Sequence, residues 1–98
     1  MDIKVEFIGF SVIYDLFPEG LHPYPVPGDT LSQLIEELVA HNDPRMKESL
    51  LDPGTKSLDS TIQIMVNKKI VPKDQIQEQK IQEGDRVTFL KFAGGRVK

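Results

Sequence analysis

The stretch Glu83-Gly84-Asp85-Arg86-Val87-Thr88-Phe89-Leu90-Lys91-Phe92-Ala93-Gly94-Gly95 decides the fold. Glu83-Gly84-Asp85 is a turn signal, because glycine supplies backbone conformations that other residues resist. From Arg86 to Phe92 the chain is strand-forming, with Val87 and Phe89 on an inner face and Leu90 and Phe92 on the opposite one. Side chains then vanish at Ala93-Gly94-Gly95. A diglycine, lacking Cβ atoms, can lie extended in a channel too narrow for any larger residue. Taken alone, that ending fits a frayed terminus as well as a peptide threaded into another enzyme's active site.

Outward from this strand, the N-terminal segment alternates in the same way. Ile3, Val5 and Phe7 share one face while Lys4 and Glu6 share the other. Gly9 starts the end of this strand, although Phe10 to Tyr14 remain able to extend or bulge it. Pro23, Pro25 and Pro27 are spaced two apart, so in an extended strand their nitrogens all face one edge. A linker and a polyproline ligand are the competing readings. We favour an edge strand blunted against aggregation, with Tyr24 and Val26 pairing on the opposite side. From Thr30 the period becomes helical, with Leu31, Leu34, Ile35 and Leu38 forming one stripe. Thr30 and Gln33 match a capping box, and Pro44 limits the helix to about Asn42. Residues 43–60 are ambiguous, with a helical turn or two open to Met46–Leu51. Ile62, Ile64 and Val66 alternate with Gln63 and Met65. Asn67-Lys68-Lys69 then turns tightly into a short strand at Ile70-Val71, which Pro72 stops.

These elements predict an α+β fold, with one main helix packed on one face of a mixed four- to five-stranded sheet. The first and last strands are expected to be central parallel neighbours. Ile3 or Val5, Leu34, Leu38, Ile62, Ile64, Val87 and Phe89 are the expected core. Residues 1–92 make the domain and residues 93–98 a flexible tail. Met65, outward on its own strand, extends the patch formed by Leu90 and Phe92 if the strands are neighbours.

Composition narrows the function. The 98 residues carry 39% hydrophobic and 28% charged side chains, suited to a single folded domain. Cysteine is absent, which removes thiolate catalysis, disulfides and Cys-built metal sites. A net charge of −3 disfavours nucleic acid as a partner. No apolar run is long enough for a membrane span and no signal peptide is evident, so a cytoplasmic location is expected. His22 and His41 are too few and too far apart for a metal centre, and His41 is expected to meet the helix C-terminal carbonyls. The carboxylates lack an apolar context that would raise a pKa, and no serine has a nucleophile-elbow setting. No active site is legible.

In their order, these residues resemble the ThiS/MoaD family of ubiquitin-like, β-grasp sulfur carriers of thiamin and molybdopterin biosynthesis. The resemblance rests on Ile3-Lys4-Val5, Gly28-Asp29-Thr30-Leu31, Val66-Asn67-Lys68-Lys69-Ile70-Val71 and the quoted C-terminal stretch. It implies a protein that is not itself an enzyme and binds no cofactor. Its partners would be a ubiquitin-activating-like adenylating enzyme that consumes ATP, a sulfur donor protein carrying a persulfide, and an acceptor enzyme. Gly95 would carry the adenylate and then the thiocarboxylate. Gly94 and Ala93 would thread the channel, and Phe92, Leu90 and Met65 would dock. The chain departs from the family pattern by continuing with Arg96-Val97-Lys98, which leaves Gly95 in an amide. Either a processing protease removes those residues, or the protein is a ubiquitin-like interaction module without sulfur transfer.

Overall fold

Alternating segments from the two ends of the chain build the centre of the sheet. The structure, a computed structural model, describes residues 1–10, 13, 16–18, 20–55 and 57–91. Strand β1 (Asp2–Ile8) lies parallel to β5 (Arg86–Lys91), in register from Lys4 opposite Arg86 to Ile8 opposite Leu90. Strand β2 (His22–Pro25) flanks β1 antiparallel, and β3 (Ile62–Val66) flanks β5 antiparallel. Strand β4 (Lys69–Val71) closes the far edge, giving the order β2-β1-β5-β3-β4. The expected central parallel pair and five-stranded mixed sheet are therefore present.

The proline edge forms as its spacing predicts. Tyr24 stands opposite Ile3, and Val26 exchanges two backbone hydrogen bonds with Met1, each 2.8 Å. Inward pairing of these residues leaves the proline positions on the outer edge, where no N–H is available to recruit another strand. At the other edge, Asn67 and Lys68 take φ of +52° and +72°. Those left-handed values define the two-residue turn that fixes the β3–β4 register.

Helix α1 (Leu31–Ala40) starts at the expected cap. Thr30 Oγ1 accepts from the Gln33 N–H, and Gln33 Oε1 accepts from the Thr30 N–H. The Leu31 N–H, which has no partner inside the helix, donates to Gln79 O at 2.8 Å. Leu31, Leu34 and Leu38 are fully buried against Ile3, Val5, Phe7, Ile62, Ile64, Val87 and Phe89. The expected core is thus intact. The structure enlarges it with Phe10, Ile13, Met46, Leu50, Ile76 and Ile81.

Two open readings are decided and one expectation, that of His41, needs correction. The first strand stops at Ile8, because Gly9 takes φ +85° and turns the backbone away. Phe10 and Ile13 plug the core instead of extending the sheet; Tyr14 lies outside the described residues. A second helix, α2 (Pro44–Leu50), follows α1 directly, capped by Asp43 with proline in its first turn, where a missing N–H costs nothing. The His41 side chain meets the Glu37 carboxylate at 3.7 Å, while Asn42 Nδ2 donates to the Leu38 carbonyl. The amide beats the imidazole to that carbonyl. Among the described residues no helix is long and apolar enough to cross a membrane.

Leu38 and Phe89 sit on opposite sides of the helix–sheet layer, each fully buried. Truncating either to alanine is expected to destabilise the protein by about 2–5 kcal/mol, through lost transfer energy and the cavity left behind. The shift in the urea unfolding midpoint measures it, and an unchanged midpoint in both variants would refute the face assignment.

Acid should act through the loops. Hydrogen bonds from the Arg45 side chain and then its backbone hold the Asp43 carboxyl below the usual carboxylate range. Bonds from the Thr61 side chain and then its backbone do the same for Asp59. A depressed folded-state pKa contributes stability that is complete above the unfolded value of about 3.9 and is lost as pH falls through the folded one. Unfolding free energy should therefore decline below about pH 4. Asp43→Asn should flatten that decline, and an unaltered acid limb would exclude Asp43 as a contributor.

Candidate functional site

The pleat that sends Val5, Phe7, Val87, Phe89, Ile62 and Ile64 toward the helices sends their neighbours to the opposite, open face. Its side chains fall into rows across the strands. Nearest the end of β5, Leu90 lies between Ile8 and Gln63. The next row runs Glu6, Thr88, Met65, Ile70, and the one beyond it pairs Lys4 with Arg86. Met65 and Leu90 are therefore diagonal neighbours on adjacent strands, both half-buried. Sequence parity placed these two on one patch, and the register brings them together. It adds Ile8, 39% exposed, and Ile70, 59% exposed. The result is an apolar crescent uncovered by either helix.

Ile8 and Ile70 escaped the sequence reading for different reasons. Ile8 follows the parity of Lys4 and Glu6, so its outward orientation was available from alternation alone. Ile70 sits on a three-residue strand whose facing depends on the turn geometry at Asn67-Lys68.

One polar pair interrupts the crescent. Thr88 is only 7% exposed, and its Oγ1 donates to Glu6 Oε1 at 3.1 Å. That bond ties β5 to β1 on the open face and satisfies the buried hydroxyl. Lys4 and Arg86, side by side in the last row, are both exposed.

At the end where β5 finishes, Gly9 and Lys91 approach closely. A Cβ at Gly9 would run into the Lys91 carbonyl oxygen, so both the φ of +85° and the space require glycine. Lys91 itself projects to the helix side, with Nζ 5.9 Å from the Phe10 ring centre. The remaining predicted site residues, Phe92, Ala93, Gly94 and Gly95, lie outside the described residues.

Other chemistry-bearing groups are placed elsewhere. His22 Nε2 lies 2.5 Å from the Pro18 carbonyl oxygen, with its ring edge-on to Phe17. Tyr24, whose pKa burial raises, accepts from Asn42 Nδ2 at 2.9 Å on the helix side. No cluster of three or more metal-ligating side chains exists among the described residues. Among the described residues, the open face is where the sequence-grouped Leu90 and Met65 come together.

The ThiS family model matches residues 24–95, from within β2 through the diglycine. Three solved structures share the fold. SAMP1 from Haloferax volcanii is 14% identical with a TM-score of 0.73, covering 98% of this chain and 100% of that one. CysO from Mycobacterium tuberculosis, described as an antigen, is 27% identical with a TM-score of 0.67, covering 91% and 97%. The thiamine biosynthesis protein ThiS from Geobacter metallireducens is 16% identical with a TM-score of 0.54, covering 98% and 100%. No curated protein sequence matches the chain.

Gly9→Ala should destabilise the fold by at least about 1–2 kcal/mol, the cost of left-handed backbone for a residue with a Cβ. Its largest amide shifts should fall at Leu90 and Lys91. Equal stability with undisturbed β5 amides would show that the two strands do not close as described.

Proposed function

This chain belongs to the ThiS family, and from that premise we propose that it is a ubiquitin-like sulfur carrier whose working residue is Gly95. The observation that carries the reading is the span of the family match, which runs to Gly95 and stops there while the chain goes on with Arg96. A carrier of this type needs a free carboxylate on that glycine. Cleavage of the Gly95–Arg96 amide supplies it, and a processing protease is the agent. A ubiquitin-activating-like enzyme then joins the carboxylate to the α-phosphate of ATP, with loss of pyrophosphate. A persulfide sulfur from a donor protein displaces AMP to give an acyl disulfide. A second thiol of the partner enzymes attacks the donor's sulfur, forming a disulfide with it and releasing the thiocarboxylate for an acceptor enzyme. The chain is the substrate of these enzymes, and its work lies in the cytoplasm.

The open face supports this division of labour. Leu90 and Met65, with Ile8 and Ile70 around them, offer the anchors by which an activating enzyme grips the carrier, since a few buried apolar side chains supply most of an interface's energy. Gly95 lies four residues beyond Lys91, so chain geometry caps their separation at roughly 14 Å. A docked enzyme thus finds the carboxylate within a short reach of the crescent. Gly94 and Ala93 keep the intervening chain slim enough for a narrow channel.

Intact mass of the protein from its host is the direct test. We expect loss of the residues after Gly95 and, in a fraction of molecules, one oxygen replaced by sulfur. In ATP–pyrophosphate exchange by the host's adenylating enzyme, the chain ending at Gly95 should be active. Gly95→Ala should chiefly lower kcat, and Leu90→Ala or Phe92→Ala should raise KM about tenfold. Uncut protein in the host and no exchange by the trimmed chain would instead establish a β-grasp interaction module without sulfur transfer.

A further inference from the structure

The apolar crescent contains a single carboxylate, and the structure gives it a fixed position. Glu6 is half-buried in the row that holds Thr88, Met65 and Ile70, with Ile8 and Leu90 in the next row. The Thr88 hydroxyl, itself nearly inaccessible, holds Glu6 Oε1 at 3.1 Å. No cation among the described residues lies within ion-pair distance of it. A carboxylate has about four acceptor sites on two oxygens, and the hydroxyl fills one of them.

We propose that Glu6 selects the partner: the docking face accepts a protein surface that brings an arginine or lysine onto this carboxylate. The inference rests on the docking reading above and adds the chemistry of the occupant. A surface that covers Ile8, Leu90 and Met65 must also strip water from Glu6. If that surface is wholly apolar, it leaves a buried unpaired charge, whose desolvation opposes binding. If it carries a cation opposite Glu6, the charge is compensated at short range and in low dielectric. Glu6 therefore rejects purely greasy partners while rewarding a basic one, which is how a single polar group converts a sticky patch into a specific one. Thr88 is the positioning residue, because its hydroxyl fixes where the cation must arrive. Lys4 and Arg86, exposed one row away, would meet carboxylates at the rim, where pairs are solvated and worth less.

The test is calorimetric titration of the full chain onto the host's adenylating enzyme, since docking requires no free Gly95 carboxylate. Glu6→Gln keeps an acceptor for the Thr88 hydroxyl and removes only the charge. It should leave the melting temperature unchanged and weaken binding about tenfold or more. It should also flatten the salt dependence of Kd, a readout that a purely structural role would not move. Glu6→Asp should recover part of the affinity, and Lys4→Gln with Arg86→Gln should cost less than Glu6→Gln. Should Glu6→Gln bind as tightly as the parent while Leu90→Ala weakens binding, the crescent docks but Glu6 does not select, and the inference falls alone. Should Leu90→Ala and Met65→Ala also bind normally, the docking reading itself is wrong and takes the inference with it.

Discussion

Phe7 and Phe89 come from opposite ends of the chain, yet their rings stack at 5.0 Å with planes 17° apart in the buried layer. They stand opposite each other in the parallel register of β1 and β5. Phe10 and Phe17 meet the same ring of Phe7 at 5.7 and 5.2 Å. Every other element is disposed around this pairing. Parallel neighbours cannot be joined by a tight turn, so everything between them must cross over the sheet. The crossover is where α1 and α2 pack, and it brings Leu34 and Leu38 onto the aromatic cluster. Closing so long a loop costs entropy, but the cost grows only slowly with length. What the long closure does affect is rate. A centre built from the chain's two ends is a high-contact-order arrangement, the kind that slows folding.

The same pairing divides the sheet into a packed face and an open face. Side chains alternate along each strand, so shifting β5 by one residue against β1 would drive Thr88 and Leu90 into the core and expose Val87 and Phe89. The stacked phenylalanines make that slip costly. Aromatic pairs contribute about 0.5–1.5 kcal/mol beyond their burial, and here the ring contacts also specify register. The crescent of Ile8, Leu90, Met65 and Ile70 is thus a by-product of core packing on the other side of the sheet. Its residues need no mutual attraction to be assembled.

Much of this was legible from the sequence because the strongest signals are periodic. Ile3, Val5 and Phe7, the Leu31–Leu38 stripe, and Ile62, Ile64 and Val66 each declare an element type and a face. The Thr30–Gln33 cap and the proline spacing fixed boundaries through backbone chemistry. Helix α2 was obscured because seven residues hold too few turns to show a stripe, although Asp43-Pro44 is a sound start signal. Ile76 and Ile81 are single apolar residues in a polar segment, so no period marks them as core. In the site, parity alone grouped Leu90 with Met65. The Glu6–Thr88 bond was beyond reach, because it joins residues 82 positions apart through a register that only the folded sheet defines.

Strand direction then determines which part of the open face lies nearest the end of β5. Because β5 runs parallel to β1, both strands end at the same side of the sheet, and the row of Ile8 and Leu90 lies there. The charged row of Lys4 and Arg86 lies at the opposite end. Had β5 paired antiparallel to β1, the chain would leave beside the charged row, and a partner anchored on the apolar one would be separated from it by the length of the strand. Gly9 completes the arrangement by letting the end of β1 approach the Lys91 backbone, where a side chain would force the strands apart. The point at which the chain leaves the sheet is therefore set by β5, the central strand, which is paired on both sides. Under the function proposed above, a partner that grips Leu90 would hold the same strand that leads to the diglycine, so recognition and presentation of Gly95 would share one element and need no conformational signal between them.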